Sequence, residues 1–224
     1  MSEQAYTGDV QVGGPADVRD MPGMTIRKLA VGDMANNAYL LIDSGTGPGT
    51  GQALLIDAAA EPDALLALIG GADLRTVVTT HGHWDHHRAL PQVVEATRAQ
   101  TVAHPADAAD LPVPVTRTVE HGDTVAVGDH LLEVVHLRGH TPGSIALVWR
   151  GPEGAGTHVF TGDSLFPGGP GRVTLPEHFR SLMTDLEQRI FTLPDSTWIY
   201  PGHGRDTTLG AERPSLPEWW ARGW

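Results

Sequence analysis

One stretch, Thr79-Thr80-His81-Gly82-His83-Trp84-Asp85-His86-His87, constrains this chain more than any other: it gathers four imidazoles and one carboxylate into nine residues. It overlaps the end of a β-branched, apolar run at residues 75–80, which reads as a short buried strand. Such a strand delivers the histidines to a loop at its own C-terminal end, where ligand sites of open α/β sheets lie. Residues 88–100 then follow a helical pattern, with Leu90, Val93, Val94 and Thr97 on one side. His81 and His83, two apart, point the same way in an extended loop. Asp85 and His86 lie a turn further on and address a neighbouring position. Imidazole and carboxylate without thiolate suit zinc, iron or manganese. A solvated loop that happens to be rich in histidine would account for one His pair. It does not account for the ordered pattern His-X-His-X-Asp-His behind a buried strand.

Strand-like runs recur along the chain. Residues 24–30, 38–42 and 53–56 form a meander around the Gly-rich turn 45–51, and further runs fall at 101–103, 123–127, 130–137, 144–149, 158–161 and 197–200. Helical patterns occupy 62–69 and 175–193, the latter with Phe179, Leu182, Met183, Leu186 and Ile190 on one face. Residues 1–24 carry Gly-Gly-Pro and Pro-Gly but no periodicity, so they read as a loosely ordered lead-in to a single domain over 25–224. Asp57 closes the third strand, either as a turn cap or as a group that steadies the ligand loop. The tail, 216–224, holds three of the six tryptophans and reads as packing against a helical layer, with a lid or dimer contact as the alternative.

The motif Thr80-His81-Gly82-His83-Trp84-Asp85-His86 resembles the signature of the metallo-β-lactamase superfamily of hydrolases. Three later residues, each behind a strand-like run, stand where that family completes a binuclear site. They are His140 in Gly139-His140-Thr141-Pro142-Gly143, Asp163 in Thr161-Gly162-Asp163-Ser164, and His203 in Pro201-Gly202-His203-Gly204. The resemblance implies a four-layered αββα sandwich: two mixed sheets face to face, helices outside, metals at one sheet edge. It further implies that His81, His83 and His140 hold one divalent ion and Asp85, His86 and His203 a second, with Asp163 bridging. Zinc is the expected metal, with iron or manganese as alternatives. Two such ions lower the pKa of a shared water from 15.7 to about neutral, so that hydroxide, oriented by Asp85, attacks a carbonyl.

Within the superfamily the motifs are most similar to the glyoxalase II-like thioester hydrolases and their persulfide dioxygenase relatives. Asp163 stands where true β-lactamases of the superfamily carry Cys or Ser, which disfavours antibiotic hydrolysis. Arg172 matches a basic glutathione-contact position, whereas two aromatic contacts of that family are Thr174 and Arg205 here. The short stretch after His203 has no room for the helical domain with which glyoxalase II grips glutathione, which leaves another thiol carrier, such as mycothiol, as the expectation. The first rival is a mononuclear iron persulfide dioxygenase using His81, His140 and Asp163. A lactonase and an inactive metal-bound domain follow.

Composition excludes other classes. Cysteine is absent, so disulfides, thiolate ligands and a Cys nucleophile are out. A formal charge of −12 argues against nucleic-acid or anionic-membrane partners and for a small-molecule substrate. No run reaches the ~18 apolar residues of a membrane span. The polar, acidic N-terminus has no signal-peptide pattern, which predicts a cytoplasmic protein.

Overall fold

Runs such as Leu54-Leu55-Ile56 and Ala146-Leu147-Val148 are apolar at consecutive positions because each sheet is covered on both faces. In the computed structural model, which describes residues 6–223, a first sheet of seven strands follows chain order. Its members are β1 (Asp17–Met21), β2 (Met24–Val31), β3 (Asn36–Asp43), β4 (Gln52–Ile56), β5 (Asp73–Val78), β6 (Gln100–Ala103) and β7 (Arg117–Thr118). Strands β1 to β4 pair antiparallel, and β4 to β7 pair parallel through helical crossovers.

The second sheet contains β8 (Thr124–Val127), β9 (His130–His136), β10 (Ile145–Arg150) and β11 (Thr157–Gly162). A small hairpin of β12 (Leu165–Phe166) and β13 (Gly169–Pro170) follows, and the sheet is completed by β14 (Trp198–Pro201) and β15 (Thr207–Thr208). Its order is β15-β14-β11-β10-β9-β8, with only β11 and β14 parallel. Helices α1 (Pro62–Ile69) and α2 (Leu90–Thr97) cover the first sheet. The other outer layer contains α3 (Pro176–Asp185), α4 (Leu209–Glu212) and α5 (Leu216–Arg222).

The period-two alternation sorts side chains between layers. On β3, Tyr39 and Leu41 point into the inter-sheet core with Ile56, Val78, Leu147, Trp149 and Phe160, whereas Ala38 and Leu40 pack outward against α1 and α2. On the second sheet, Val135, Val148, Val159 and Ile199 face Phe179, Leu182, Met183 and Ile190. The expected αββα sandwich is the observed fold. No helix among the described residues is long and apolar enough to cross a membrane.

Two expectations need correction. The lead-in over residues 1–24 is not loose throughout, because Asp17–Met21 forms an edge strand registered on β2 from Asp17↔Lys28 to Met21↔Met24. Only one face of that strand is covered, so it lacks the apolar run of a central strand; residues 1–5 lie outside the described residues. The 175–193 pattern is not one regular helix either: α3 passes into a π-helical turn at Leu186–Ile190, where the Phe191 N–H donates to Leu186 O at 2.8 Å. The tail packs on the helical layer as read, with Trp219 buried and its ring 6.1 Å from Phe191; Trp224 lies outside the described residues.

The buried His158 ring has Nδ1 2.9 Å from the Tyr200 hydroxyl and Nε2 2.9 Å from Ala155 O. Burial pushes its pKa down to about 4, against a reference of 6.5. The unfolded chain therefore binds the extra proton first. Stability from keeping this ring neutral is present above pH 6.5 and drains away as pH falls toward 4, by roughly 3 kcal/mol. Urea unfolding of wild type and His158→Gln at pH 7 and pH 4.5 measures it. The gap between the two should change by ~2 kcal/mol in favour of the variant at the lower pH. An unchanged gap would remove this role.

Candidate metal centre

Each candidate ligand lies just beyond the end of a strand, where the two sheets meet. Asn37 N donates to Gly202 O at 2.7 Å, Gly202 N to Gly162 O at 2.9 Å, and Ile145 N to Thr80 O at 2.9 Å. These backbone bonds place the His81–His86 loop beyond β5 beside His140, Asp163 and His203 of the second sheet. All seven predicted ligands come together. The donor atoms within each of three groups lie within 4.8 Å of one another: His81, His83 and His140; His81, His86 and Asp163; and Asp85, His86 and His203. Asp163 occupies the middle, with Oδ1 3.4 Å from His86 Nε2 and Oδ2 3.6 Å from His140 Nε2 and 3.5 Å from His203 Nε2.

The imidazoles are held from behind. His140 Nδ1–H donates to Arg172 O at 2.7 Å, and His203 Nδ1–H to Met34 O at 3.0 Å. His86 Nδ1–H donates to Asp57 Oδ2 at 2.8 Å. The Thr80 hydroxyl donates to the same carboxylate oxygen, so at 3.0 Å the His81 Nδ1–H donates to Thr80 Oγ1. In each ring this fixes the tautomer and turns the Nε2 lone pair inward. Asp57 is therefore the group that steadies the ligand loop. It holds a left-handed backbone conformation (φ 58°) and also accepts from Thr80 N at 2.8 Å.

The inward atoms fit a cation. His81 Nε2, His140 Nε2 and Asp163 Oδ1 are buried with no hydrogen-bond partner, which is unfavourable unless something electron-poor meets them. The cradle also excludes a methyl group: a Cβ on Gly202 would sit 2.1 Å from Asp163 Oδ1 and 2.7 Å from His86 Cε1.

Protonation divides the site. Burial, aided by the His86 ring, keeps the His81 pKa well below the ordinary value, and burial lowers His140 as well. Burial also opposes charge on His86, but Asp57 and Asp163 outweigh it and raise its pKa to about 10. Burial opposes ionisation of Asp163 too, yet the His203 and His86 rings beside it hold that carboxyl well below the usual range. His81 and His140 thus offer lone pairs, while the Asp163 end attracts positive charge, which protons or a dication can supply.

Asn36, Asn37 and Lys28 matter here and were not picked out in the sequence. Asn36 Nδ2 donates to Asp85 Oδ2 at 2.8 Å, orienting that carboxylate. The signal available was two polar residues, Asn36-Asn37, where a buried strand wants apolar ones. Asn37 Nδ2 donates to Pro201 O and Gly204 O, both at 2.9 Å, and secures the His203 loop. Lys28 Nζ lies 2.7 Å from each of Gly8 O, Gly204 O and Asp206 Oδ1. Trp84 is exposed, with the Arg88 guanidinium 4.5 Å over its ring. Arg172 lines a cavity of about 480 Å³ with Phe166, Pro167, Gly168, Val173 and Arg222. The Phe166 ring lies 6.4 Å from that of His203, so this cavity adjoins the cluster.

A profile of the metallo-beta-lactamase superfamily matches residues 31–203, and the chain belongs to that superfamily, in its glyoxalase II-like branch. It is 37% identical over 172 residues to a hydroxyacylglutathione hydrolase of Jannaschia sp. (strain CCS1), covering 75% of this chain and 62% of that protein. The chain thus spans less than two thirds of that relative's length. Hydroxyacylglutathione hydrolase GloC of Haemophilus influenzae is 30% identical, with 74% of this chain and 86% of that one covered. Among solved structures, TTHA1623 in a di-iron-bound form superposes with a TM-score of 0.68 at 34% identity, covering 85% of this chain and 98% of the other.

Proposed function

We propose that this protein is a binuclear metallo-hydrolase that cleaves a small thioester or ester. His81, His83 and His140 would hold one divalent ion and Asp85, His86 and His203 a second, with Asp163 between them. Zinc is the proposed metal; the same nitrogen and oxygen donors accept iron or manganese. Bound there, such a pair supplies a hydroxide at neutral pH and an electrophile for the substrate carbonyl. Asp85, aimed by Asn36, orients the attacking water and accepts its proton. The walls of the Phe166–Val173 cavity take the rest of the substrate, and Arg172 offers a guanidinium to an anionic carrier. A thiolate leaving group, with a pKa of ~8.5, departs with little help from a general acid. The acidic chain and the small cavity support a small-molecule substrate rather than a nucleic acid.

One observation carries the reading: seven donor groups converge, and three of their atoms are buried without a partner. The deciding experiment is metal analysis of protein purified without added metal, read alongside hydrolysis of S-D-lactoylglutathione. Close to two ions per chain with turnover is the expected result. Two ions without turnover would keep the hydrolase and move the search to other thiol esters and lactones. One iron per chain with oxygen uptake would replace it by the dioxygenase. No ion, even after reconstitution, would end the metal reading.

A further inference from the structure

Asp107 lies in the turn after β6, distant in sequence from every candidate ligand. Its side chain is buried, and among the described residues its side-chain hydrogen bonds go to the two loops that carry His81, His83 and His140. Oδ2 accepts from Gly82 N at 2.8 Å and from Thr141 Oγ1 at 2.5 Å, and Oδ1 accepts from Gly143 N at 2.7 Å. Gly82 separates His81 from His83; Thr141 and Gly143 follow His140. On the far side of the same peptide pair, His87 Nε2 lies 3.2 Å from Gly82 O.

Both glycines make room for this carboxylate. A Cβ on Gly143 would fall 2.6 Å from Asp107 Cγ, and one on Gly82 would fall 3.2 Å from Asp107 Cβ and 2.9 Å from Asp110 Oδ2. The charge matters as well. A buried carboxylate is unfavourable unless fully bonded or neutralised, and the three donors here are uncharged. A dication held by the adjoining histidines would supply the missing positive charge.

We infer that Asp107 is a positioning residue for the His81–His83–His140 group, fixing the His-Gly-His loop and the His140 loop at the separation one ion requires. The inference rests on reading that group as a metal site. It needs no contact between Asp107 and the ion, only that the three imidazoles lose their common focus when the carboxylate is gone. Replacing metal-supporting groups of this kind typically weakens binding about 10–100-fold.

Zinc titration of metal-free wild type and Asp107→Asn, against a chromophoric competitor, tests it. The visible spectrum of the cobalt-loaded proteins reports the coordination of each ion. The amide of Asp107→Asn presents N–H groups to at least one N–H donor. One of two binding steps should weaken about 10–100-fold, the other should hold, and the cobalt spectrum should change in one component. Leu132→Ala, a core truncation away from the site, controls for lost stability and should bind both ions as wild type does. Thr141→Val removes one of the three bonds to Asp107, together with the Thr141 Oγ1–Ser144 Oγ bond at 2.7 Å, and should weaken the same step by a few fold; it serves if Asp107→Asn fails to fold. Two binding steps of wild-type affinity in a folded Asp107 or Thr141 variant, or equal weakening in the Leu132 control, would overturn the inference while leaving the hydrolase in place. A wild-type chain that takes up no ion would instead remove the metal reading on which it rests.

Discussion

Replacing Asp85 by asparagine is expected to lower kcat for thioester hydrolysis about 10³-fold while leaving the fold intact, the range associated with losing a positioned proton acceptor. The residue is nearly enclosed, 6% exposed, and its Oδ2 already accepts a hydrogen bond from Asn36. Oδ2 also lies 3.6 Å from His86 Nε2 and 3.5 Å from His203 Nε2. An amide has the same outline but neither the negative charge nor the basicity. Asparagine can turn its carbonyl toward Asn36 only by turning its NH2 toward the imidazoles, or the reverse. Metal content measured on the same preparation separates the two consequences. Two ions retained with kcat reduced identify Asp85 as the group that handles the proton. One ion lost identifies its contribution as binding. Unchanged hydrolysis in a variant with two ions would remove the mechanism.

Much of this was legible in the sequence because it was written locally. The strand at residues 75–80 and the His-X-His-X-Asp-His loop lie within a dozen residues, so one element carries most of the donor set to one place. His140, Asp163 and His203 were legible by their shared context, each behind a strand-like run and beside glycine. Gly162 and Gly202 have physical reasons to be there: a Cβ at either would strike Thr80 Oγ1 at 2.5 Å or Asp163 Oδ1 at 2.1 Å. What could not be read were roles created only by tertiary closure. Asp107 stands in none of the sequence motifs, and only sheet pairing brings its carboxylate to Gly82 and Gly143. Asn36 orients Asp85 across 49 residues of chain. The edge strand β1 was missed because half of it faces solvent, and Asp17-Val18-Arg19-Asp20 has no apolar run to announce it.

Lys28 shows the same limit and carries the second large effect. It is the only lysine, fully buried on β2, and its three N–H groups meet Gly8 O, Gly204 O and Asp206 Oδ1. Burial pushes the Lys28 ammonium pKa down and the Asp206 carboxyl up, while their mutual attraction opposes both shifts. One acceptor for each proton favours the charged pair. Lys28→Ala leaves a buried carboxylate without its cation and frees the carbonyl of the residue after His203. Breaking a buried pair from one side costs about 3–5 kcal/mol. For a chain of this length that corresponds to a fall in Tm of roughly 10 °C. The deficit should also depend on pH. With Lys28 gone, the folded-state pKa of Asp206 rises further above its unfolded value, so the folded chain binds a proton that the unfolded chain releases. Stability from that proton is present at low pH and lost as pH rises, so the deficit should be larger at pH 7 than at pH 5. Removing both charges, as in Lys28→Met with Asp206→Leu, should recover part of the loss, because two well-packed apolar groups leave no stranded carboxylate; Tyr6, which donates to Asp206 Oδ2, keeps the recovery incomplete. Thermal unfolding of the single and double variants at both pH values decides it. A single variant as stable as wild type would show that the pair contributes nothing to holding the His203 loop on the first sheet.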